Sequence, residues 1–255
     1  MNDLPRKTAV AIVLLVLAGL ALWYGGLGFW LLAVVAGILM MGEWADLHGA
    51  TATQRRLAQF ALSVPLAVLC PLAAGPIPLV IGLIAGAGFF IAATTRKPGL
   101  GWGAVYVGLP AFALVLMREQ PGGLLLTLWA MSLVWATDTG AYFSGRLIGG
   151  PKIAPSISPK KTWAGLIGGA IAATLLAFAL HAHAGLPFGF VMATPVLAVV
   201  AQAGDFYESW LKRRAGVKDS SNLLPGHGGV LDRLDGLVPV AIVAAAMVEA
   251  TLWLA

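Results

Sequence analysis

Four polar residues in the C-terminal half are spaced for chemistry. Asp205, Glu208, Ser209 and Lys212 stand at i, i+3, i+4 and i+7, which on a helix aligns them along one face. Asp232 and Asp235 repeat the i, i+3 spacing. Two acidic helix ends from different segments can converge as hard oxygen ligands, a set that suits Mg2+ and, through it, phosphate oxygens. Just before the second pair lies the stretch "LLPGHGGV", residues 223–230. Its glycines 226, 228 and 229 allow a tight turn with amides free to donate to an anion. Glycine clusters are also common loop formers, so this stretch alone decides little.

Basic residues complete the set. In "SISPKKTWAG" the order Ser158, Pro159 reads as an N-cap followed by proline at the first helical position, so Lys160 and Lys161 are expected in a first helical turn. Lysines are unfavourable beside a positive helix end unless they snorkel away or an anion is bound. A solvated pair attracting anionic headgroups and a phosphate site both remain open. Lys212, Arg213, Arg214 and Lys218 form a second basic cluster, and Asp138 ends another apolar run. An acid near a helix end can simply mark that end and reach water, but three such acids, Asp138, Asp205 and Glu208, adjoin the two long polar loops. Zinc is disfavoured: Cys70 is the single cysteine, His48, His181 and His183 lie away from the acids, and His227 alone is near them. No G-x-x-x-x-G-K-[ST] phosphate loop occurs.

The elements that must position these residues are set by lipid. Of 255 residues 59% are hydrophobic and 11% charged, with a mean hydropathy of +0.88, against about 25% charged in an average soluble domain. Hydropathy predicts an all-α transmembrane bundle of about nine spans, near residues 8–24, 27–42, 57–74, 76–93, 102–117, 122–140, 163–183, 187–207 and 236–254. These form one integral membrane domain over 1–255: N-terminal helices in 1–120 and a catalytic part in 121–255 with cytoplasmic loops 141–162 and 208–235. The first run lacks a small-x-small cleavage pattern and is expected to stay as a helix.

With the N-terminus inside and the C-terminus outside, every Lys and Arg except Arg118 falls on the cytoplasmic side of this parse. That distribution accounts for the pI near 9.6 by a membrane surface and argues against nucleic acid as a partner. Gly82 with Gly86, and Gly165 with Gly169, are small-xxx-small pairs that allow close helix approach. The physics assembled from residues alone is a cytoplasm-facing, metal-dependent phosphate site at a membrane surface.

The stretch "ESWLKRRAGVKDSSNLLPGHGGVLDRLD", residues 208–235, resembles the signature of the phosphatidate cytidylyltransferase (CDP-diacylglycerol synthase) family at Ser209, Lys212, Arg213, Lys218, Asp219, Pro225, His227, Gly228, Gly229, Asp232, Arg233 and Asp235. "WATDTGAYFSGRLIG" from Trp135 and "SPKKTWAGLIGG" from Ser158 are similar to two further family blocks. The N-terminal half shares hydrophobic character and the stretch "EWADL" from Glu43. Gly236 departs from the pattern, where a serine commonly follows the last aspartate.

The resemblance implies transfer of the cytidylyl group of CTP to phosphatidate, giving CDP-diacylglycerol and pyrophosphate, in the bacterial inner membrane. It implies Mg2+ on Asp205 and Asp232, with a second cation as an option. Asp138, Lys160 and Lys161 join these two aspartates in the reacting centre. Ser158, Lys160, Lys161, Ser209, Lys212, Arg213, Lys218 and Arg233 are then expected to bind triphosphate or lipid phosphate, with Asp138, Glu208, Asp219 and Asp235 as ligands or as orienters of those bases. His227, Gly228 and Gly229 belong to a phosphate-cradling loop; the substrate phosphate is already a nucleophile, so His227 is not assigned to proton transfer. Expected partners are CTP, phosphatidate and membrane lipids, with a homodimer contact or the lipid cavity as roles for residues 1–120. The rivals are a CTP-dependent lipid kinase, an ether-lipid cytidylyltransferase and, from another class, an ion-coupled transporter, whose polar residues should reach the midplane and both faces.

Overall fold

The computed structural model describes residues 4–224, 226 and 228–253. The helices are α1 (Leu4–Tyr24), α2 (Gly26–Leu47), α3 (Ala52–Val68), α4 (Pro78–Thr95), α5 (Pro98–Glu119), α6 (Gly123–Leu147), α7 (Trp163–Ala184), α8 (Phe188–Arg214), the single turn α9 (Leu231–Leu234) and α10 (Leu237–Trp253). A hairpin of β1 (Lys152–Ala154) and β2 (Ser158–Thr162) precedes α7. The chain is an all-α, multi-pass membrane protein. Among the described residues six helices, α2 and α4 to α8, are long and apolar enough to cross a bilayer. Ile12–Tyr24 and α10 are shorter apolar helices. A helix occupies each segment read from hydropathy, with α3 displaced toward the N-terminus. The displacement has a local cause: Thr51 Oγ1 accepts the Gln54 N–H at 3.3 Å and Gln54 Oε1 accepts the Thr51 N–H at 3.0 Å, a capping box that starts the helix ahead of its apolar residues.

The chain divides into two compact units, each taken by itself. The first comprises Met1–Leu124 and Arg214–Leu234. Its packing is fixed by side chains that complete open helix ends. Trp30 Nε1 donates to Leu66 O at 2.8 Å, filling a carbonyl in the last turn of α3. Arg118 donates through Nε to Leu22 O at 2.7 Å and through a terminal nitrogen to Trp23 O at 3.0 Å, closing α1 in the same way. Trp44 near the end of α2 is buried, donates to Gly99 O at 2.9 Å, and stacks on His48 and Tyr106 with both ring centroids 4.7 Å away. Gly103 on α5 makes room for that indole, since a Cβ there would stand 2.5 Å from Trp44 Nε1.

The second unit comprises Leu125–Arg213 and Asp235–Ala255. Here α6 and α7 approach through small residues: a Cβ on Gly169 would lie 2.6 Å from Thr137 O, and one on Gly165 3.0 Å from Ala141 O. The expected Gly165 and Gly169 pair thus lies at a helix contact, whereas Gly82 and Gly86 on α4 have nothing within 4 Å of a Cβ. Trp129 Nε1 donates to Thr194 Oγ1 at 3.0 Å, joining α6 to α8 inside the core.

One expectation is corrected. Ser158 does not cap a helix, and Lys160 and Lys161 are not in a first turn: all three lie on β2, with Ser158 opposite Ala154 and Thr162 opposite Lys152. The cap falls four residues later, where buried Thr162 Oγ1 accepts the Gly165 N–H at 3.0 Å. The hairpin extends the chain up to Thr162, so Ser–Pro marks a strand and Thr162 inherits the capping role.

Candidate active site

On a strand successive side chains point to opposite faces, and this separates the lysine pair. Lys160 is exposed, while Lys161 forms an ion pair with Asp205 Oδ2 and lies 4.5 Å over the Phe206 ring. The helix face expected from spacing is present on α8. Ser209 Oγ donates to Asp205 Oδ1 at 3.3 Å, and Lys212 Nζ is 2.5 Å from Glu208 Oε2, one turn away in each case. Glu208 is fully buried, so its ion pair with Lys212 is a fixed part of the unit rather than a surface contact. Gln202, one turn before Asp205 and 4% exposed, donates through Nε2 to Asp138 Oδ1 at 3.4 Å.

Asp235 belongs to the same unit. Burial first, then the negative charge of Asp205, push its carboxyl up to about 7; the Gly236 N–H pulls the other way, Asp138 adds to the rise, and Lys161 opposes it. The Gly236 N–H donates to Asp235 Oδ1 at 2.7 Å. A Cβ at Gly236 would stand 3.0 Å from Val134 Cγ1, so glycine here lets the turn into α10 sit close to α6. Three carboxylates therefore share one field, with Lys161 as a counter-charge.

The signature loop lies in the other unit. Asp232 Oδ2 accepts from Ser220 N at 2.9 Å and Gly229 N at 2.8 Å, and lies 3.0 Å from Ser220 Oγ. Leu224 N donates to Gly228 O at 2.9 Å, closing the turn. Gly228 has φ +82, a left-handed backbone, and a Cβ there would stand 2.6 Å from Asp232 Oδ2. Lys218, Asp219 and Arg233 are exposed in this loop, as is Arg213 at the end of α8. Pro225 and His227 lie outside the described residues.

Spacing missed two side chains that the structure makes prominent. Gln202 is an amide inside an apolar run, in "VVAQAGD", and its position three residues before Asp205 was the available signal. Glu43 is an acid within "MMGEWADL" that accepts four hydrogen bonds from the signature loop. An ionisable residue within a membrane span is a functional candidate by default, and ending the span at 42 left Glu43 outside it, whereas α2 runs on to Leu47.

The donor chemistry fits a hard divalent cation. Asp138, Asp205 and Asp235 are oxygen donors whose mutual repulsion already raises one of them, and a cation would relieve that repulsion. Among the described residues no three His, Cys, Asp or Glu side chains enclose an ion unaided. Mg2+ does not need such an enclosure, because it retains waters and takes one or two carboxylates plus substrate phosphates.

Six helices of membrane length among the described residues define a class: a multi-pass membrane protein. The family follows from comparison. Residues 5–251 match the model of the Cytidylyltransferase family, and the chain belongs to that family. It is 42% identical over 249 residues to the phosphatidate cytidylyltransferase of Brucella suis biovar 1 (strain 1330), covering 94% of this chain and 92% of that one. The phosphatidate cytidylyltransferase of Bacillus subtilis (strain 168) is 42% identical over 139 residues, 53% of this chain and 52% of its own. That of Pseudomonas aeruginosa (strain PAO1) is 40% identical over 163 residues, 62% and 59%.

Proposed function

We propose that this chain transfers the cytidylyl group of CTP to phosphatidate, releasing pyrophosphate and forming CDP-diacylglycerol. The observation that carries the reading is the nearly end-to-end match to a relative named for that activity. In this reaction a phosphate oxygen of phosphatidate attacks the α-phosphorus of CTP, and the bond from that phosphorus to the oxygen bridging to the β-phosphorus breaks. The nucleophile is already anionic, so the protein must bring two anions together and stabilise charge on the reacting phosphate.

Lys161 is the base assigned to that charge. Asp205 holds its ammonium in place, and the Phe206 ring below restricts where it can swing. Asp205 in one unit and Asp232 in the other are each assigned to Mg2+ binding, and the ion supplies charge neutralisation on the triphosphate when bound. Gln202 orients Asp138, and Ser209 orients Asp205. Lys160, Arg213, Lys218 and Arg233, all exposed, are assigned to capture of triphosphate or lipid phosphate, and the Gly228–Gly229 turn to contact with a phosphate.

The site is assigned to the cytoplasmic face of the bacterial inner membrane, on the distribution of Lys and Arg among the loops. One substrate is soluble and the other stays in the bilayer, so they meet where polar loops join apolar helices. The test uses purified protein with Mg2+, phosphatidate and CTP radiolabelled at the α-phosphorus. Label is expected in chloroform-extractable lipid. Label that stays water-soluble while phosphatidate gains a phosphate would identify a kinase instead, and no labelled lipid at all would remove the assignment.

A further inference from the structure

Glu43 stands near the end of α2 and is 2% exposed. Burying a carboxylate is costly unless its lone pairs are filled, and here four donors fill them. Ser221 Oγ at 2.7 Å and Val230 N at 2.9 Å donate to Oε1. Leu231 N at 2.7 Å and Ser220 Oγ at 3.0 Å donate to Oε2. Each oxygen therefore faces one backbone N–H and one hydroxyl, the Ser220 proton being shared with Asp232, and the donors come from two separate parts of the signature stretch, residues 220–221 and 230–231. One carboxylate from the N-terminal helices gathers the loop into a closed shape.

The same contacts reach Asp232. Ser220 Oγ is 3.0 Å from Glu43 Oε2 and 3.0 Å from Asp232 Oδ2, so a single hydroxyl lies between two carboxylates. Gly229 donates its N–H to Asp232 Oδ2 at 2.8 Å, and a Cβ on it would overlap Ser220 Oγ and stand 2.5 Å from Glu43 Oε2. A side chain at this position would thus collide with both the Ser220 hydroxyl and the Glu43 carboxylate. Behind Glu43, its neighbour Trp44 is tied to Gly99 O at 2.9 Å and packed between two rings, which gives the carboxylate a rigid base.

We infer that Glu43 is a positioning residue: through Ser220 and the loop backbone it sets where the Asp232 carboxylate is held, and so sets the affinity for the divalent cation. The inference rests on the reading of Asp232 as a cation ligand and gives the N-terminal half a part in the site. Glu43 itself touches neither substrate.

The informative variant is Glu43→Gln. Whichever oxygen becomes the amide nitrogen, its N–H groups face a backbone N–H, of Val230 or of Leu231, that cannot turn away, while the serine hydroxyl beside it can rotate. Volume is kept and one hydrogen bond of the loop is replaced by donor against donor. Mn2+ titrated into the purified full-length protein, with free ion read by electron paramagnetic resonance, measures affinity without turnover. The expected result is a Kd raised about tenfold, the size seen when partners that orient metal ligands are lost, together with faster hydrogen exchange in the peptide spanning residues 219–234. Asp232→Asn in parallel separates the two readings. If Asp232→Asn binds Mn2+ as the native protein does, Asp232 is not a ligand and the role of Glu43 falls with it. If Asp232→Asn loses binding while Glu43→Gln keeps native affinity, the inference about Glu43 alone is overturned, whatever the exchange rates do. Should Glu43→Gln not fold, Ser220→Ala removes only the hydroxyl shared by the two carboxylates. It is expected to raise the Kd about threefold, and an unchanged Kd overturns the inference.

Discussion

Lys160 and Lys161 are adjacent, chemically identical and unequal. Strand geometry turns one to solvent and the other to Asp205. Lys161→Ala should lower turnover on the order of 100-fold, the loss typical of a donor aimed at a reacting phosphate, while Lys160→Ala should stay within about threefold, as for an exposed charge. Steady-state kinetics with CTP in excess checks the pair; equal effects would mean that the strand does not sort them. Asp235 supports a second residue-scale prediction. Its carboxyl is raised from 3.8 to about 7, so the folded protein holds a proton that the unfolded chain has released. The stability this contributes is fully present below about pH 3.8 and is lost as pH climbs to about 7. In chelator-treated protein, thermal denaturation across pH 5–8 should show a falling Tm that flattens above about 7, and Asp235→Asn should remove that drift.

Elements decide which of these residues can work together, and they were unevenly legible in the sequence. The i, i+4 pairs on α8 follow from spacing alone, because helical periodicity depends on nothing beyond the segment. The start of α7 was misread because Ser–Pro is a real helix-start signal that a hairpin overrode. Strand pairing between Lys152–Ala154 and Ser158–Thr162 is a contact between segments, and no residue in either announces it. Small-residue pairs carried the same ambiguity: Gly82 and Gly165 look alike in sequence and differ in what stands opposite. Hence Gly169→Ala should lower the Tm in detergent, costing about 1 to 3 kcal/mol for a Cβ forced against the Thr137 carbonyl. Gly82→Ala, with open space around it, should be neutral or raise the Tm slightly through helix propensity. A loss of stability in the second variant equal to the first would contradict the packing described for α6 and α7.

At the scale of the whole chain, hydropathy located the helices well because lipid acts on every residue of a span, and the basic residues then suggested an orientation. That orientation can be read directly. In a Cys70→Ala background, Ser156→Cys in the hairpin turn and Ala184→Cys at the end of α7 are both exposed positions. A membrane-impermeant maleimide should label the first from the cytoplasmic side and the second from the opposite side. Labelling from one side would break the assigned topology. What hydropathy could not supply was the partnership between Glu43 and residues 220–231, since those hydrogen bonds join segments with most of the chain between them. The loop carries the recognisable motif, but the acid that shapes it sits in a stretch that reads as the end of an apolar helix.

That partnership also bears on descent. A side chain at Gly229 would collide with Glu43 as well as with Ser220, and loss of Glu43 strands the Val230 and Leu231 amides that donate to it. Neither position can drift first without harm, so natural variation should pass the two on together, and chimeras that join the N-terminal half of one lineage to the C-terminal half of another should succeed only where both parents carry the matched pair.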